Sequence, residues 1–415
     1  MRHAKYYTPD LMLQFQHMTA HKLFWLVTSM GILLGLIIGV ITIKKVRSSP
    51  AVSQQIQQIE EKIGLKKPAV IGFMPYWLLN KTHGNYPVSE LAYFSLTINP
   101  DGSIQQFTRP SESEPGRNKL AKGEWAQKKN SLTKQAVQQS LVIQMINEAH
   151  IAQLINQPLQ NAQALVQNVS PLMKEHQFND LNLDIESFRE ASPAAQVQFT
   201  SFVSEVKKQL QQQQLGTLTV EVAPIAFFAP RLIDPVSLGE VADRVVIMGY
   251  DYHYRDSFVT GPVAPLGGAP EVREFDVKTT LDQAIKDIPA NKIILALPLY
   301  GYEWETISQN NQNAVIPGTG KTATNRRVED ELLPSCASCT AQFDELSKSP
   351  FVIIKPSADQ LVSQQIWYEN QASLTAKIKL AEDYKLQGIA LWALGYESEK
   401  IMEPVKDYQQ LILWP

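Results

Sequence analysis

The chain has 415 residues, 44% of them hydrophobic and 19% charged, the balance of an ordinary globular protein and not of a disordered one. A net charge of -3 is small, and nothing in the composition points to a nucleic-acid partner. The length allows one large domain or two medium ones, and no internal repeat of solenoid or propeller period occurs.

Residues 1–22 read as a short tail. Leu23–Ile43 is an uncharged, mostly apolar stretch bounded by Lys22 on one side and by Lys44, Lys45 and Arg47 on the other. At about 1.5 Å per residue it reaches across a hydrocarbon core of about 30 Å. It predicts an uncleaved transmembrane helix in preference to a signal peptide, being too long for an h-region and followed by no A-x-A site. Arg2, Lys5 and Lys22 balance the cations beyond the span, so the positive-inside count is a tie. Residues 44–67 read as a stalk. Val52, Ile56, Ile59 and Ile63 give it a short apolar stripe, which suits a linker or a helix resting on the domain better than a coiled coil.

From residue 68 to 415 the pattern is one domain. Short apolar runs alternate with helical stretches: 69–76, 91–98, 140–147, 181–186, 218–224, 244–251, 292–300 and 388–394. Continuous apolar character suits strands covered on both faces. Pro193–Leu210 is the clearest helix, with Ser192 as its cap and Phe199, Phe202, Val203, Val206 and Leu210 on one stripe. Eight such runs with helices between them predict a (β/α)8 TIM barrel, an α/β fold. An open doubly wound sheet is the alternative, but no glycine-rich phosphate loop follows the first run. The segment of about 303–370 is longer than a barrel loop needs. It holds the only cysteines, Cys336 and Cys339, in a setting that reads as a loop. One CxxC is too few for a four-ligand zinc site, so the pair reads as a local disulfide or two inert thiols.

Polar residues collect at the C-terminal ends of the runs, the rim that carries the active site in a TIM barrel. Asp184 and Glu186 share one face of the fourth run by period-two spacing. Two enclosed carboxyls repel when both ionise, so one pKa rises and a protonated acid remains at working pH. The sixth run ends in Met248, Tyr250 and Asp251, and the eighth carries Trp392. Flat aromatic faces ringed by carboxyls suit a sugar.

These motifs resemble glycoside hydrolase family 18, the chitinase-like TIM barrels. The family's DxxDxDxE corresponds to Asn179-Asp180-Leu181-Asn182-Leu183-Asp184-Ile185-Glu186, and its Met-x-Tyr-Asp to Met248-Gly249-Tyr250-Asp251. Pro298-Leu299-Tyr300-Gly301 with Trp304 matches the strand-seven pattern, and Trp392 the strand-eight tryptophan. The stretches 71–77, 261–266 and 366–395 look most like the bacterial branch of spore-cortex and germination-type peptidoglycan glucosaminidases. Two acidic positions of the motif are Asn179 and Asn182. Asn182 falls where the family usually has a second aspartate that shares a proton; an amide can hydrogen-bond Asp184 but cannot take up a proton.

The resemblance implies a small α+β insertion after strand seven and substrate-assisted catalysis with no metal or organic cofactor. Glu186 is then the general acid and base, Asp184 orients the 2-acetamido group, and Tyr250 hydrogen-bonds its oxygen. Trp392 packs under the ring, and Asn182, Met248, Asp251 and Tyr300 contact substrate. The partner is an acetamido-glycan, peptidoglycan or chitin-like, and no nucleic acid. A glycan-binding barrel without turnover and a membrane-tethered structural protein are the alternatives; retention of the terminal glutamate favours the enzyme. Such polymers lie mainly in walls and matrices, which predicts a single-pass cell-membrane protein with its barrel outside the cytoplasm and residues 1–22 inside.

Overall fold

A computed structural model describes residues 67–411, apart from 83, 134–136, 270–273, 337–338, 340 and 356–361. The expected tail, membrane span and stalk lie outside the described residues. Among the described residues, no helix is long and apolar enough to cross a membrane.

Eight parallel strands close on themselves. They are β1 (Ala69–Pro75), β2 (Glu90–Thr97), β3 (Gln138–Met145), β4 (Asp180–Ile185), β5 (Thr217–Val222), β6 (Arg244–Met248), β7 (Ile293–Pro298) and β8 (Gly388–Trp392). Each pairs with the next in chain order, and β8 pairs with β1, Ala69 opposite Gly388. This is the TIM barrel that the alternating runs predict.

Helices join the strands from β2 onward and cover the outside. Their ends follow from local sequence. Ser192 caps Pro193–Gln213 by accepting from the Ala195 amide at 3.3 Å, and Gln214 ends it in a left-handed conformation, φ 55°. Asp276 with Thr279, and Asn370 with Ser373, form reciprocal capping boxes at the starts of Val277–Asp287 and Gln371–Asp383.

The strand β4 shows how the sequence divides the two faces. Every residue of Asp180–Ile185 is buried, although three of them are polar. Leu181, Leu183 and Ile185 lie on one side of the pleat, and Asp180, Asn182 and Asp184 on the other, facing the lumen. At the lumen's lower end Arg244 of β6 donates to Glu90 of β2 at 2.5 and 2.8 Å and lies 3.0 Å from Asp180 of β4. Thr217 and Thr219 of β5 also donate to Asp180. The cation is thus enclosed by two carboxylates, the condition under which a buried charge is tolerated.

Between β7 and β8 the chain builds a five-stranded antiparallel sheet from Tyr300–Thr306, Lys321–Thr324, Ala341–Asp344, Ser349–Ile354 and Ser363–Trp367. It has its own small core of Ala323, Val328, Val352, Ile366 and Tyr368. Cys336 and Cys339 are joined as a disulfide just after the helical segment that runs to Ser335.

Candidate active site

Strand β4 stops at Ile185, and the Glu186 amide still donates to the Met145 carbonyl of β3 at 3.0 Å. That bond fixes the backbone of Glu186 at the C-terminal mouth. One layer down, Asp184 is buried and accepts from the Gln144 side chain of β3 at 2.9 Å. The two carboxyls are unequally placed. Burial pushes Asp184 up to about 6 against the pull of the Gln144 bond. Burial, then the charge on Asp184, then that on Asp251, push Glu186 up to about 8. Near neutral pH the site therefore holds an ionised Asp184 beneath a protonated Glu186.

The chain turns sharply after β6. The Tyr250 amide bonds back to the Met248 carbonyl at 2.7 Å, and Asp251 takes a left-handed φ of 59°. This turn buries the Tyr250 ring close enough to Asp184, Glu186, Glu221 and Asp251 that their charges, after burial itself, raise its hydroxyl well above the usual tyrosine range. A neutral phenol is the result, a hydrogen-bond donor at every working pH. The Asp251 carboxyl accepts from Tyr300 at 2.6 Å and from Tyr302 at 3.0 Å. Burial raises its carboxyl above the ordinary range against the pull of those two bonds.

Met248 lines a cavity beside Glu186 together with Phe188, Glu221, Ala226 and Arg231. Trp392 closes β8, half-buried, and packs on Phe94 at 4.5 Å and Phe73 at 5.8 Å. Its ring contacts are thus with aromatics of β1 and β2, its neighbours at the seam where the barrel closes. Trp304 is fully buried and donates to the Arg255 carbonyl at 3.0 Å, a packing residue of the insertion.

Asn182 sits beneath Asp184, as the spacing requires, but the hydrogen bond to Asp184 comes from Gln144 instead. Both Asn182 amide atoms are buried without a partner of standard geometry. Asn179 is structural, accepting from the Gln139 amide at 2.9 Å across β3 and β4. Three residues that the motifs do not reveal also belong to the site: Gln144, Tyr302 and Glu221. Glu221 is carried to Asp184 by strand register, with Asn182 opposite Thr219 and Leu183 opposite Val220. Alternation along LTVEVAP could flag it, since a lone glutamate there faces either water or the lumen. Among the described residues, no group of three or more His, Cys, Asp or Glu is disposed to hold a metal ion.

Comparison with known proteins agrees with this geometry. The family model of glycosyl hydrolases family 18 matches residues 98–397. The putative sporulation-specific glycosylase YdhD of Bacillus subtilis is 29% identical over 251 residues, 58% of this chain and 54% of that protein. The chain thus spans little more than half of this relative's length. The spore cortex-lytic enzyme SleL of Bacillus megaterium shares the fold at a TM-score of 0.63 and 22% identity, over 83% of this chain and 74% of the other. A family 18 chitinase of Cycas revoluta in complex with (GlcNAc)4 does so at 0.68 and 19%, over 82% and 99%. A closed barrel with two unequal carboxyls at the end of its fourth strand, and a family match across most of its length, lead to one assignment: the chain belongs to glycosyl hydrolases family 18.

Proposed function

We propose that the protein is a membrane-anchored hydrolase of β-linked 2-acetamido glycans, peptidoglycan or chitin-like, acting by substrate-assisted retaining catalysis. One observation carries this reading: Glu186 is held protonated up to about 8 directly above Asp184, which ionises near 6. A general acid and a charge-stabilising base side by side are what the reaction needs.

In the first step Glu186 gives its proton to the glycosidic oxygen as that bond to the anomeric carbon breaks. The carbonyl oxygen of the sugar's own acetamido group forms the new bond to carbon, giving an oxazolinium ion. Ionised Asp184 faces the acetamido N–H and stabilises the positive charge that develops there. Tyr250 donates to the acetamido oxygen and aligns it for attack. In the second step the Glu186 carboxylate takes a proton from water as water opens the ring, so the anomeric configuration is retained. Trp392 offers its half-buried face to the sugar ring, while Asn182, Met248, Asp251 and Tyr300 line the pocket. The reaction calls on no metal or organic cofactor.

The names of the similar proteins, cortex-lytic enzyme and chitinase, point to the same class of polymer. We further propose that Leu23–Ile43 anchors the protein in the cell membrane with the barrel outside, where such polymers lie. Protease accessibility on intact spheroplasts tests the orientation: a barrel digested only after lysis would refute it.

The activity is tested by incubating the full chain in detergent with purified peptidoglycan and with chitin oligomers, followed by mass analysis and early-time NMR of the products. New reducing ends of retained configuration are expected, together with inhibition by an N-acetylglucosamine thiazoline. Absence of cleavage of any 2-acetamido glycan would sink the proposal. Cleavage with inversion would sink the mechanism.

A further inference from the structure

The lumen holds one more carboxyl than the β4 motif supplies. Glu221 of β5 is buried, and the register that pairs Leu183 with Val220 sets it beside Asp184. The ionisable groups that act on it come from β4 and from the turn after β6: Asp184, Glu186 and Tyr250. Arg231 lines the same cavity but is not among the groups that act on Glu221. Arg244, in the lumen below, is committed to Glu90 and Asp180.

Two oxygens at this level, Asp184 Oδ1 and Glu221 Oε1, are buried and accept no hydrogen bond. Ionised carboxylates can only accept, so two of them side by side leave both oxygens stranded and both charges unpaired. One proton resolves both problems, because it turns one of the acids into a donor and halves the charge. Asn182 adjoins the pair and cannot carry that proton. Gln144 donates to Asp184 at 2.9 Å and favours its ionised form, while burial and the charges on Asp184 and Glu186 raise Glu221 against the pull of the Asn182 amide, so Glu221 is the acid that keeps the proton.

We propose that Glu221 is a neutral carboxylic acid whose proton is donated in a hydrogen bond to the Asp184 carboxylate, holding Asp184 ionised and aimed at the substrate. The kinetic consequence rests on the glycosidase reading above; the protonation does not. Glu221 is a positioning residue and forms no bond to sugar. Its proton stays in place through both steps, and the pair carries one negative charge throughout. In this chain the acid that backs Asp184 stands on β5, which is why an amide is tolerated at Asn182.

The test uses the full chain. Since Glu186 is itself protonated near neutral pH, infrared spectra are taken in the Glu186→Gln background with carbon-13 glutamate. A buried carboxylic C=O band that shifts with the label is expected at pH 7, and it should vanish on adding Glu221→Gln. No such band in the Glu186→Gln protein would overturn the proposal, whether or not any glycan is cleaved. For kinetics, Glu221→Leu in the otherwise native chain should lower kcat at least about tenfold with little change in KM. Glu221→Gln, which keeps a donor and is the milder change for folding, should lose less. Adding Asn182→Asp to Glu221→Leu should restore most of the lost rate. Wild-type turnover by Glu221→Leu, or no rescue by Asn182→Asp, would count against the assignment.

Discussion

Glu186 and Asp184 ionise in different ranges because the charges on Asp184 and Asp251 add to burial at Glu186, whereas the Gln144 hydrogen bond opposes burial at Asp184, and the consequences are measurable. Replacing Glu186 with Gln should leave the fold intact and lower kcat by about 10²–10⁴-fold, the usual worth of general acid catalysis, in initial-rate assays on acetamido-glycan oligomers. The wild-type rate should be bell-shaped in pH, rising near 6 as Asp184 ionises and falling near 8 as Glu186 does, each limb belonging to the coupled set. The same shift weakens the fold. The folded chain binds the Glu186 proton more tightly than the unfolded chain, so stability falls as pH rises from the ordinary glutamate value toward about 8. Each pH unit in that window costs at most about 1.4 kcal/mol. Glu186→Gln should therefore melt higher than wild type at pH 8, with the gap closing toward pH 4.5; thermal scans across this range check it, and a constant gap would refute the linkage. Asp184, Glu186, Tyr250 and Asp251 are legible in the sequence because each closes a strand within a short motif. Gln144 and Glu221 are not, because their place beside Asp184 is set by inter-strand register. Tyr302 reaches Asp251 only because an insertion strand starts directly behind β7.

Among the elements, the strands are the more legible, since continuous apolar runs have no other good home. The run 244–251 ends at Met248 as a strand because the Tyr250 amide folds back on the Met248 carbonyl and Asp251 turns left-handed, an event that apolar character does not signal. Helix Pro193–Gln213 outruns its apolar stripe by three residues, because glutamines are good solvated helix formers. Helix Gln371–Asp383 contains a feature that composition hides: Lys377 is fully buried and bonded to the fully buried Glu369 at 2.6 Å. Lys377→Met strands a carboxyl in the core and should cost about 3–5 kcal/mol by denaturant unfolding, while Lys377→Met with Glu369→Leu should recover most of it. An equal loss in the double variant would show that shape, not charge, dominates there. The disulfide closes a loop with a sequence separation of only 3, so the unfolded chain gains little freedom when it is cut. Reduction should cost less than about 2 kcal/mol and leave turnover unchanged, which unfolding and rate measurements with and without dithiothreitol will show.

At the scale of the whole molecule, the barrel joins its two ends: β1 pairs with β8, Ala69 lying opposite Gly388. The eightfold alternation makes that closure readable from sequence, because a doubly wound sheet would need a phosphate loop that the chain lacks. The partner strand of β1 on the other side, β2 (Glu90–Thr97), is near in sequence, but β8 (Gly388–Trp392) is far from it. A chain stopped at Gln387 should have unpaired edges on β1 and β7, bind no thiazoline inhibitor, and lose cooperative melting. Contacts of such long sequence separation form late and slowly. This has a bearing on biosynthesis. Trp392, the aromatic wall of the mouth, is supplied by the final strand. A nascent chain therefore carries its carboxyls long before it has a finished pocket to put a sugar in. Synthesis of β8 is then its own activation step, since until that strand exists the carboxyls lack their aromatic wall.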